Sequence, residues 1–217
     1  MGFRSGLAVI LLVSLMAAPG RAQEAPAARA AAPPGADGAY DPAPERGRNT
    51  LSVMAGVFTT SFWARSFSYN NVGYEPNFVI AIITGKDLLT TSWGLRVGQE
   101  SGMALRFGAD FSVETWTGIT VSFGARLIGG FTMSPQMVLG LSNITNAIGV
   151  EVYREAAVPN GDISRLIYLG THLAYLWESL PFLEGFYRLH HRSGALGVFG
   201  NVPDGHNAPS LGFTIRY

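Results

Sequence analysis

The chain has 217 residues, of which 47 % are hydrophobic and 14 % are charged, and its formal net charge at pH 7 is +0. This length predicts one folded unit, and the balanced charge argues against a nucleic-acid-binding protein, which needs a clustered basic face. The chain has no cysteine, so no disulfide framework can hold the fold together. We therefore expect one domain that is stabilised by packing or by a membrane, and no nucleic-acid partner.

The N-terminus has the pattern of a secretory signal peptide. Arg4 supplies a positive charge, residues 7–18 are mostly apolar, and Gly20, Arg21 and Ala22 form a small-x-small cleavage site. The apolar run is shorter than the roughly 20 residues that a membrane-spanning helix needs. We expect residues 1–22 to be a signal peptide for secretion across the inner membrane. Residues 23–48 are rich in Ala and Pro and show no period that buries a face, which predicts a flexible, disordered leader.

From Thr50 onward, apolar residues recur at every second position, which is the period of a β-strand. Between residues 117 and 127, for example, the odd-numbered side chains are largely apolar, and the even-numbered ones are Gly, Thr, Ser or Arg. The same alternation predicts nine candidate strands, at residues 50–60, 77–84, 91–98, 102–111, 116–131, 136–142, 165–177, 182–193 and 206–217.

Two architectures accept this pattern: a soluble barrel or sandwich with an apolar interior, and a transmembrane barrel with an apolar exterior and a polar lumen. Three features favour the membrane. The candidate strands match the length of a tilted membrane-spanning strand, the non-apolar face carries hardly any lysine (Lys86 is the only one), and the chain ends on an alternating strand with an aromatic residue, Tyr217. We predict that residues 49–217 form an all-β, antiparallel transmembrane β-barrel in the bacterial outer membrane. Because bacterial barrels have even strand numbers, we expect eight strands, with one candidate wrong or two merged.

The stretch RLHHRS, residues 188–193, concentrates ionisable residues near the end of a candidate strand. Leu189, His191 and Ser193 share one face of that strand. Leu189 marks this face as lipid-facing, so His191 and Ser193 are expected to point outward at the rim, and the same parity points Asn207 of the last strand toward them. A serine, a histidine and a third polar side chain are the groups of an acyl-transfer site. The alternative is that they are rim residues that touch headgroups or loop carbonyls.

The segments YRLHHRSGALGVFGN and DGHNAPSLGFTIRY resemble the lipid A 3-O-deacylase family of outer-membrane acyloxyacyl hydrolases. The likeness is best over the C-terminal part of the chain and weaker at residues 140–145 and in the opening strand. The resemblance implies an eight-stranded barrel whose site faces lipid and acts on lipid A of lipopolysaccharide. It also implies that Ser193 is the nucleophile and His191 the general base.

The sequence departs from the family pattern at two positions. The family often has Asn directly after the serine and Glu as the third member, whereas this chain has Gly194 and, as we align it, Asn207; Asp204 is an alternative acid, although on the opposite parity. An Asn stabilises an imidazolium less well than a carboxylate does. The backbone amides of Gly194 and Ala195 are expected to stabilise the oxyanion.

Together, these observations predict an outer-membrane serine esterase that removes an ester-linked 3-hydroxyacyl chain from lipid A, without a cofactor or a metal. Both a monomer and a homodimer are compatible with the sequence. The alternatives are a non-catalytic small barrel with a structural or lipid-binding role and, third, a soluble periplasmic lipid-binding barrel. On the lumen face, His172 and His190 are expected to join a polar network with arginines rather than to bind a metal, and Arg192 is expected to pair with Glu184.

Overall fold

A computed structural model describes residues 47–67, 72–127, 131–177 and 179–217. The segments predicted to be a signal peptide and, except for residues 47 and 48, a flexible leader lie outside these residues. The strands are β1 (Asn49–Thr59), β2 (Tyr74–Thr90), β3 (Leu95–Gly108), β4 (Phe111–Phe123), β5 (Ala125–Leu127), β6 (Phe131–Ile144), β7 (Arg165–Trp177), β8 (Leu183–Ser193) and β9 (Asn207–Arg216), and the helices are α1 (Trp63–Ser66) and α2 (Val150–Ala156). Neither helix of the described residues is long and apolar enough to cross a membrane.

The strands pair antiparallel with their neighbours, and the sheet closes on itself. β1 pairs with both β2 and β9, and β4 pairs with both β3 and β6. β5 continues β4 after Gly124 and pairs with β6, so the two pieces form one wall of the barrel. The predicted antiparallel barrel of eight strands is therefore confirmed, and its closure leaves no open edge among the strands that the structure describes.

Two of the nine candidate strands merge. The second half of the candidate at residues 91–98 and most of the candidate at residues 102–111 fall within the single strand β3. Gln99 and Ser101 interrupt the apolar series on its outward face, which made the pattern resemble two strands. Both side chains are nevertheless exposed on the outer wall, where the Ser101 hydroxyl donates a hydrogen bond to the hydroxyl of Thr117 at 3.1 Å.

The polarity of the barrel is the inverse of that of a soluble protein. Large apolar side chains on the outer wall, such as Ile82 and Leu139, are 54 % and 57 % exposed, whereas Arg188 and Arg192 are buried in the lumen. Because a buried charge without a partner is strongly destabilising, the lumen has to supply counter-ions. Arg188 accordingly binds both carboxylate oxygens of Glu100 at 2.8 Å. An apolar exterior around a polar lumen is typical of membrane-spanning barrels.

The two ends of the barrel differ in their connections. At the short-turn end, residues 91–94 join β2 to β3, and residues 178–182 join β7 to β8. At the long-loop end, residues 60–73, 145–164 and 194–206 connect strands and carry both helices. The chain enters and leaves the barrel at the short-turn end, where Thr50 of β1 pairs with Arg216 of β9. In outer-membrane barrels, the short turns face the periplasm and the longer loops face outward.

Candidate active site at the long-loop end

β8 sends alternate side chains to opposite sides of the wall as it reaches the long-loop end. His190 and Arg192 enter the lumen, and His191 and Ser193 lie on the outer side. The register places His191 opposite Asn207 of β9 and opposite Leu169 of β7. The three segments 60–67, 145–164 and 194–206 surround this point.

The connection after β1 covers the outward side of His191. The Trp63 ring of α1 lies 6.3 Å from the His191 ring, measured between centroids. The Asn207 amide donates a hydrogen bond to the Ser61 carbonyl at 2.8 Å, which attaches this connection to β9. As a result, His191 is only 5 % exposed and Asn207 is fully buried, although both belong to the outward face of the barrel.

Asp204 lies next to His191 in spite of its opposite parity. Its Oδ1 lies 3.6 Å from Nδ1 of His191, and its Oδ2 lies 3.0 Å from a guanidinium nitrogen of Arg154 in α2. The strand alternation ends at Ser193, and the turns that follow bring Asp204 back over the rim. The loop path, rather than the strand period, therefore places a carboxylate beside the imidazole.

Several buried polar atoms of this group have no hydrogen-bond partner among the described residues: Nδ1 of His191, both carboxylate oxygens of Asp204, and Oδ1 of Asn207. Buried polar atoms in folded proteins are nearly always hydrogen-bonded, so exceptions call for an explanation such as a catalytic role or a bound water. We refer to His191, Ser193, Asp204 and Asn207 as the rim cluster.

Ser193 begins a compact turn. Its Oγ accepts a hydrogen bond from the Ala195 amide at 3.1 Å, and within the described part of the chain it has no hydrogen bond to His191. The Gly194 carbonyl accepts hydrogen bonds from the backbone amides of Gly197 and Phe199 at 3.1 and 2.9 Å. Ala195 and Leu196 have positive φ angles of 50° and 59°, a conformation that costs energy for residues with a side chain.

Two amides of this turn remain free to donate. Of the described residues, none accepts a hydrogen bond from the N–H of Gly194 or of Leu196, whereas the Ala195 N–H is engaged by the Ser193 Oγ. The expected oxyanion pair, Gly194 and Ala195, thus contains one free and one occupied donor in this structure. A backbone N–H without a partner next to a serine is the type of group that stabilises an oxyanion.

A glycine is required after Ser193 because the backbone of a later segment passes close to this position. A Cβ atom at Gly194 would lie 1.6 Å from the carbonyl oxygen of Val202. Any other residue would have to displace the backbone of residue 202, which leads toward Asp204. The departure from the Asn that often occupies this position in the resembling family therefore has a steric cause.

On the lumen side, a dense network of charged residues supports the same part of β8. Glu114 accepts hydrogen bonds from Nε2 of His190 at 3.0 Å and from the Ser142 hydroxyl at 2.7 Å. Glu151 of α2 forms ion pairs with Arg106 and Arg192. We refer to Arg106, Glu114, Glu151, His190 and Arg192 as the lumen cluster; all five side chains are fully buried.

Glu151 is ionised in this setting. Burial by itself raises the pKa of its carboxyl group, but the guanidinium groups of Arg106 and Arg192 hold that pKa well below its usual range. The expected pair of Arg192 with Glu184 is wrong, because Glu184 lies toward the other end of β8 and pairs there with Arg216. His172 and His190 do join the arginine-rich interior, and His172 contacts Arg188 at 3.2 Å.

Two residues of this region, Glu151 and Arg154, were not predicted from the sequence. Both are on α2, three positions apart in the stretch VEVYREA, which has a helical character within an otherwise all-β chain. Residues three apart lie on neighbouring positions of a helix, so this spacing could have predicted that Glu151 and Arg154 act together. In the described residues, no group of three or more His, Asp or Glu side chains is arranged to hold a metal ion.

The closed wall of eight strands, the apolar exterior and the charged lumen define a barrel of the outer-membrane type. Among solved structures, the chain is similar to the outer membrane enzyme PagL, with 13 % identity and a TM-score of 0.53 over 77 % of this chain and 99 % of that one. It is also similar to Neisserial surface protein A (NspA), with 13 % identity and a TM-score of 0.50 over 78 % of this chain and 96 % of that one. No protein-family model and no curated protein matches the sequence. At such identities the likeness shows the fold.

Proposed function

We propose that this protein is a serine esterase of the bacterial outer membrane that removes an ester-linked 3-hydroxyacyl chain from lipid A of lipopolysaccharide. The barrel type supports the location, and the long-loop end then faces outward. The rim cluster lies on the outer wall at that end, and in this proposal it meets the acyl esters of outer-leaflet lipid there.

One observation carries the proposal: a buried histidine on the outer wall has a carboxylate at one ring nitrogen and a serine two residues away on the same face. The separation of 3.6 Å between Asp204 and His191 is longer than a hydrogen bond. Catalytic hydrogen bonds are often long in the absence of substrate and shorten in the complex. Because Asp204 faces Nδ1 of His191, Nε2 is the ring nitrogen available to Ser193.

In the proposed reaction, Nε2 of His191 takes the hydroxyl proton of Ser193 while Oγ attacks the ester carbonyl carbon. The tetrahedral intermediate collapses, the bond to the sugar oxygen breaks, and His191 protonates that oxygen. Water then attacks the acyl-enzyme and gives its proton to His191. The second collapse returns this proton to Ser193 and releases the 3-hydroxy fatty acid.

Ser193 has to change rotamer before this reaction. Its Oγ leaves the Ala195 amide and donates to His191, a movement between staggered rotamers that a small side chain makes easily. The same movement frees the Ala195 N–H. The oxyanion is then stabilised by backbone amides of the turn, for which Gly194, Ala195 and Leu196 are the candidates.

The third member of the site is Asp204 in this proposal rather than Asn207. A carboxylate stabilises the imidazolium that forms during the reaction, whereas an Asn side chain does so poorly. Asn207 is bound to the Ser61 carbonyl through its amide nitrogen, and in this proposal it holds the covering segment against β9.

The outer wall offers a surface for an acyl chain. A groove of about 540 Å³ lies on it, lined by Val53, Ala55, Gly185, Leu211 and Phe213 among others. Gly185 is on β8, on the same outward face as His191, and at about 3.3 Å per residue the two positions are roughly 20 Å apart along the strand. The groove is nearly all apolar, like the rest of the outer wall, so it is compatible with an acyl chain.

A second candidate function is a non-catalytic barrel with a structural or lipid-binding role. The similarity to a surface protein, NspA, favours it as much as the similarity to an enzyme favours the first. The hydrogen bond between Ser193 and Ala195 also suits a rim without catalysis.

Mass spectrometry of lipid A distinguishes the two functions. Cells that express the chain are compared with cells that express Ser193→Ala at equal levels of folded barrel. An esterase removes one hydroxyacyl mass from lipid A in the first culture and not in the second. If lipid A is unchanged in both cultures, the assay is repeated with the purified barrel and lipid A that carries 3-hydroxyacyl esters. Unchanged lipid A in that assay too would contradict the esterase and favour the non-catalytic barrel.

A further inference from the structure

Arg154 joins the three segments that surround the rim cluster. Its guanidinium group lies 3.0 Å from Oδ2 of Asp204 and donates a hydrogen bond to the neighbouring Gly205 carbonyl. It also lies over the ring of Phe62, 5.5 Å from its centroid, and 3.5 Å from the Thr60 carbonyl. One side chain of α2 therefore contacts the connection after β1 and the connection after β8.

The helix that carries Arg154 is fixed from inside the barrel. Glu151, one turn earlier, enters the lumen and binds Arg106 and Arg192. Because residues three apart lie on neighbouring positions of a helix, fixing Glu151 also fixes the origin of the Arg154 side chain. The lumen cluster and the rim cluster are thus connected through α2.

Arg154 supplies the charge that Asp204 needs. The Asp204 side chain is 8 % exposed, and a buried carboxylate requires a nearby cation. His191 is charged only when it is protonated, so Arg154 is the permanent cation in contact with Asp204 among the described residues. With Oδ2 held by Arg154, Oδ1 is the oxygen that faces the imidazole.

We propose that Arg154 is a positioning residue: it holds Asp204 so that one carboxylate oxygen is directed at Nδ1 of His191. This inference rests on the proposed esterase function. Arg154 does not touch the reacting atoms, and it acts through Asp204. Its removal therefore lowers the turnover number and leaves substrate binding, which depends on the outer wall, nearly unchanged.

The test is a kinetic comparison of purified barrels in detergent micelles, with a chromogenic medium-chain acyl ester as the probe. We expect Arg154→Gln to lower kcat roughly 10- to 100-fold, the size of effect that misplacing a catalytic group by about 1 Å can have, with KM changed less than about twofold. Arg154→Lys, which keeps the charge, recovers part of the loss. In an Asp204→Asn background, Arg154→Gln has no further effect, because residues that act as a unit are not additive.

A matched control removes the same charge at the other end of the barrel. Arg48→Gln alters an exposed arginine at the short-turn end, and it leaves kcat unchanged. Folding of each variant is verified by the shift in electrophoretic mobility between unheated and boiled samples.

The outcomes separate the two proposals. If the wild-type chain is no faster than Ser193→Ala, the esterase function and the role of Arg154 are both overturned. If the wild type is faster, but Arg154→Gln is as active as the wild type or loses activity equally with and without Asp204, the esterase function stands and the positioning role is overturned.

Discussion

The two faces of β8 at the long-loop end use the same kinds of residues for opposite purposes. In the lumen cluster, Glu114 accepts hydrogen bonds from His190 and Ser142, and Glu151 is bound by two arginines. In the rim cluster, Asp204 lies beside Arg154 and His191, but neither of its oxygens accepts a hydrogen bond from the described residues. The carboxylates of the interior are bound by neighbouring side chains, and these contacts stabilise the barrel. The Asp204 oxygens at the rim can still accept hydrogen bonds, which a group needs in order to bind a ligand or take part in catalysis.

Adjacent histidines provide the sharpest test of this difference. We expect His191→Ala to abolish esterase activity, by as much as about 10⁶-fold if the histidine acts as a general base, without a large change in stability. His190→Ala removes the hydrogen bond to Oε2 of buried Glu114 and leaves only the one from Ser142 to Oε1, so it lowers the free energy of unfolding by about 1–3 kcal/mol and changes the rate only a few-fold. Initial rates and urea titrations of both variants provide the measurement; an equal loss of rate in both would contradict the assignment of the two faces.

Within the rim cluster, Asp204 and Asn207 are expected to differ. Asp204→Asn removes the carboxylate beside the imidazole and lowers kcat by about 10²- to 10⁴-fold, as loss of the acid does in serine hydrolases. Asn207→Ala detaches the covering segment at Ser61 and lowers kcat by less than about tenfold, because a neutral hydrogen bond contributes about 1 kcal/mol. If the kinetic assay gives the reverse order, Asn207 is the third member and the position of Asp204 is incidental.

Within the lumen cluster, Glu151→Ala is expected to destabilise the barrel by about 3–5 kcal/mol, because it leaves two buried guanidinium groups with one carboxylate fewer. Urea unfolding followed by tryptophan fluorescence measures the effect. Glu155→Ala is the control on the same helix, where a single hydrogen bond from the Ile163 amide at 3.3 Å is lost and the cost is about 1 kcal/mol. Equal destabilisation by the two substitutions would show that Glu151 is not a special anchor.

The smallest expected effect is a pH dependence. Since the pKa of Glu151 is held well below its usual value of 4.5, its contribution to stability is fully present above that value and is lost as the pH falls through the pKa of the folded state. The difference in unfolding free energy between the wild type and Glu151→Gln should therefore be constant near neutral pH and shrink in acid. A difference that grows as the pH falls would contradict the ionised carboxylate.

The alternation of the sequence predicted the parts of the molecule that depend on local geometry. It assigned strands β1, β7, β8 and β9 nearly to the residue, because successive side chains of a strand point to opposite faces whatever the strand packs against. It failed where polar residues interrupt an outward face, as at Gln99 and Ser101 of β3. A polar residue on the lipid side is tolerated when a neighbouring strand offers a hydrogen bond, and that neighbour is not visible in the local pattern.

The sequence by itself determined that the alternating part of the chain forms an antiparallel barrel with a polar lumen, and that His191 and Ser193 share the outward face of one strand. Only the tertiary structure decided that Asp204 reaches His191, that Arg154 and Glu151 connect the rim with the lumen, and that a glycine must follow Ser193. The reason is physical. Strand parity follows from the backbone of a single segment, whereas these contacts join residues of separate loops, and the path of each loop is set by the groups on which it packs.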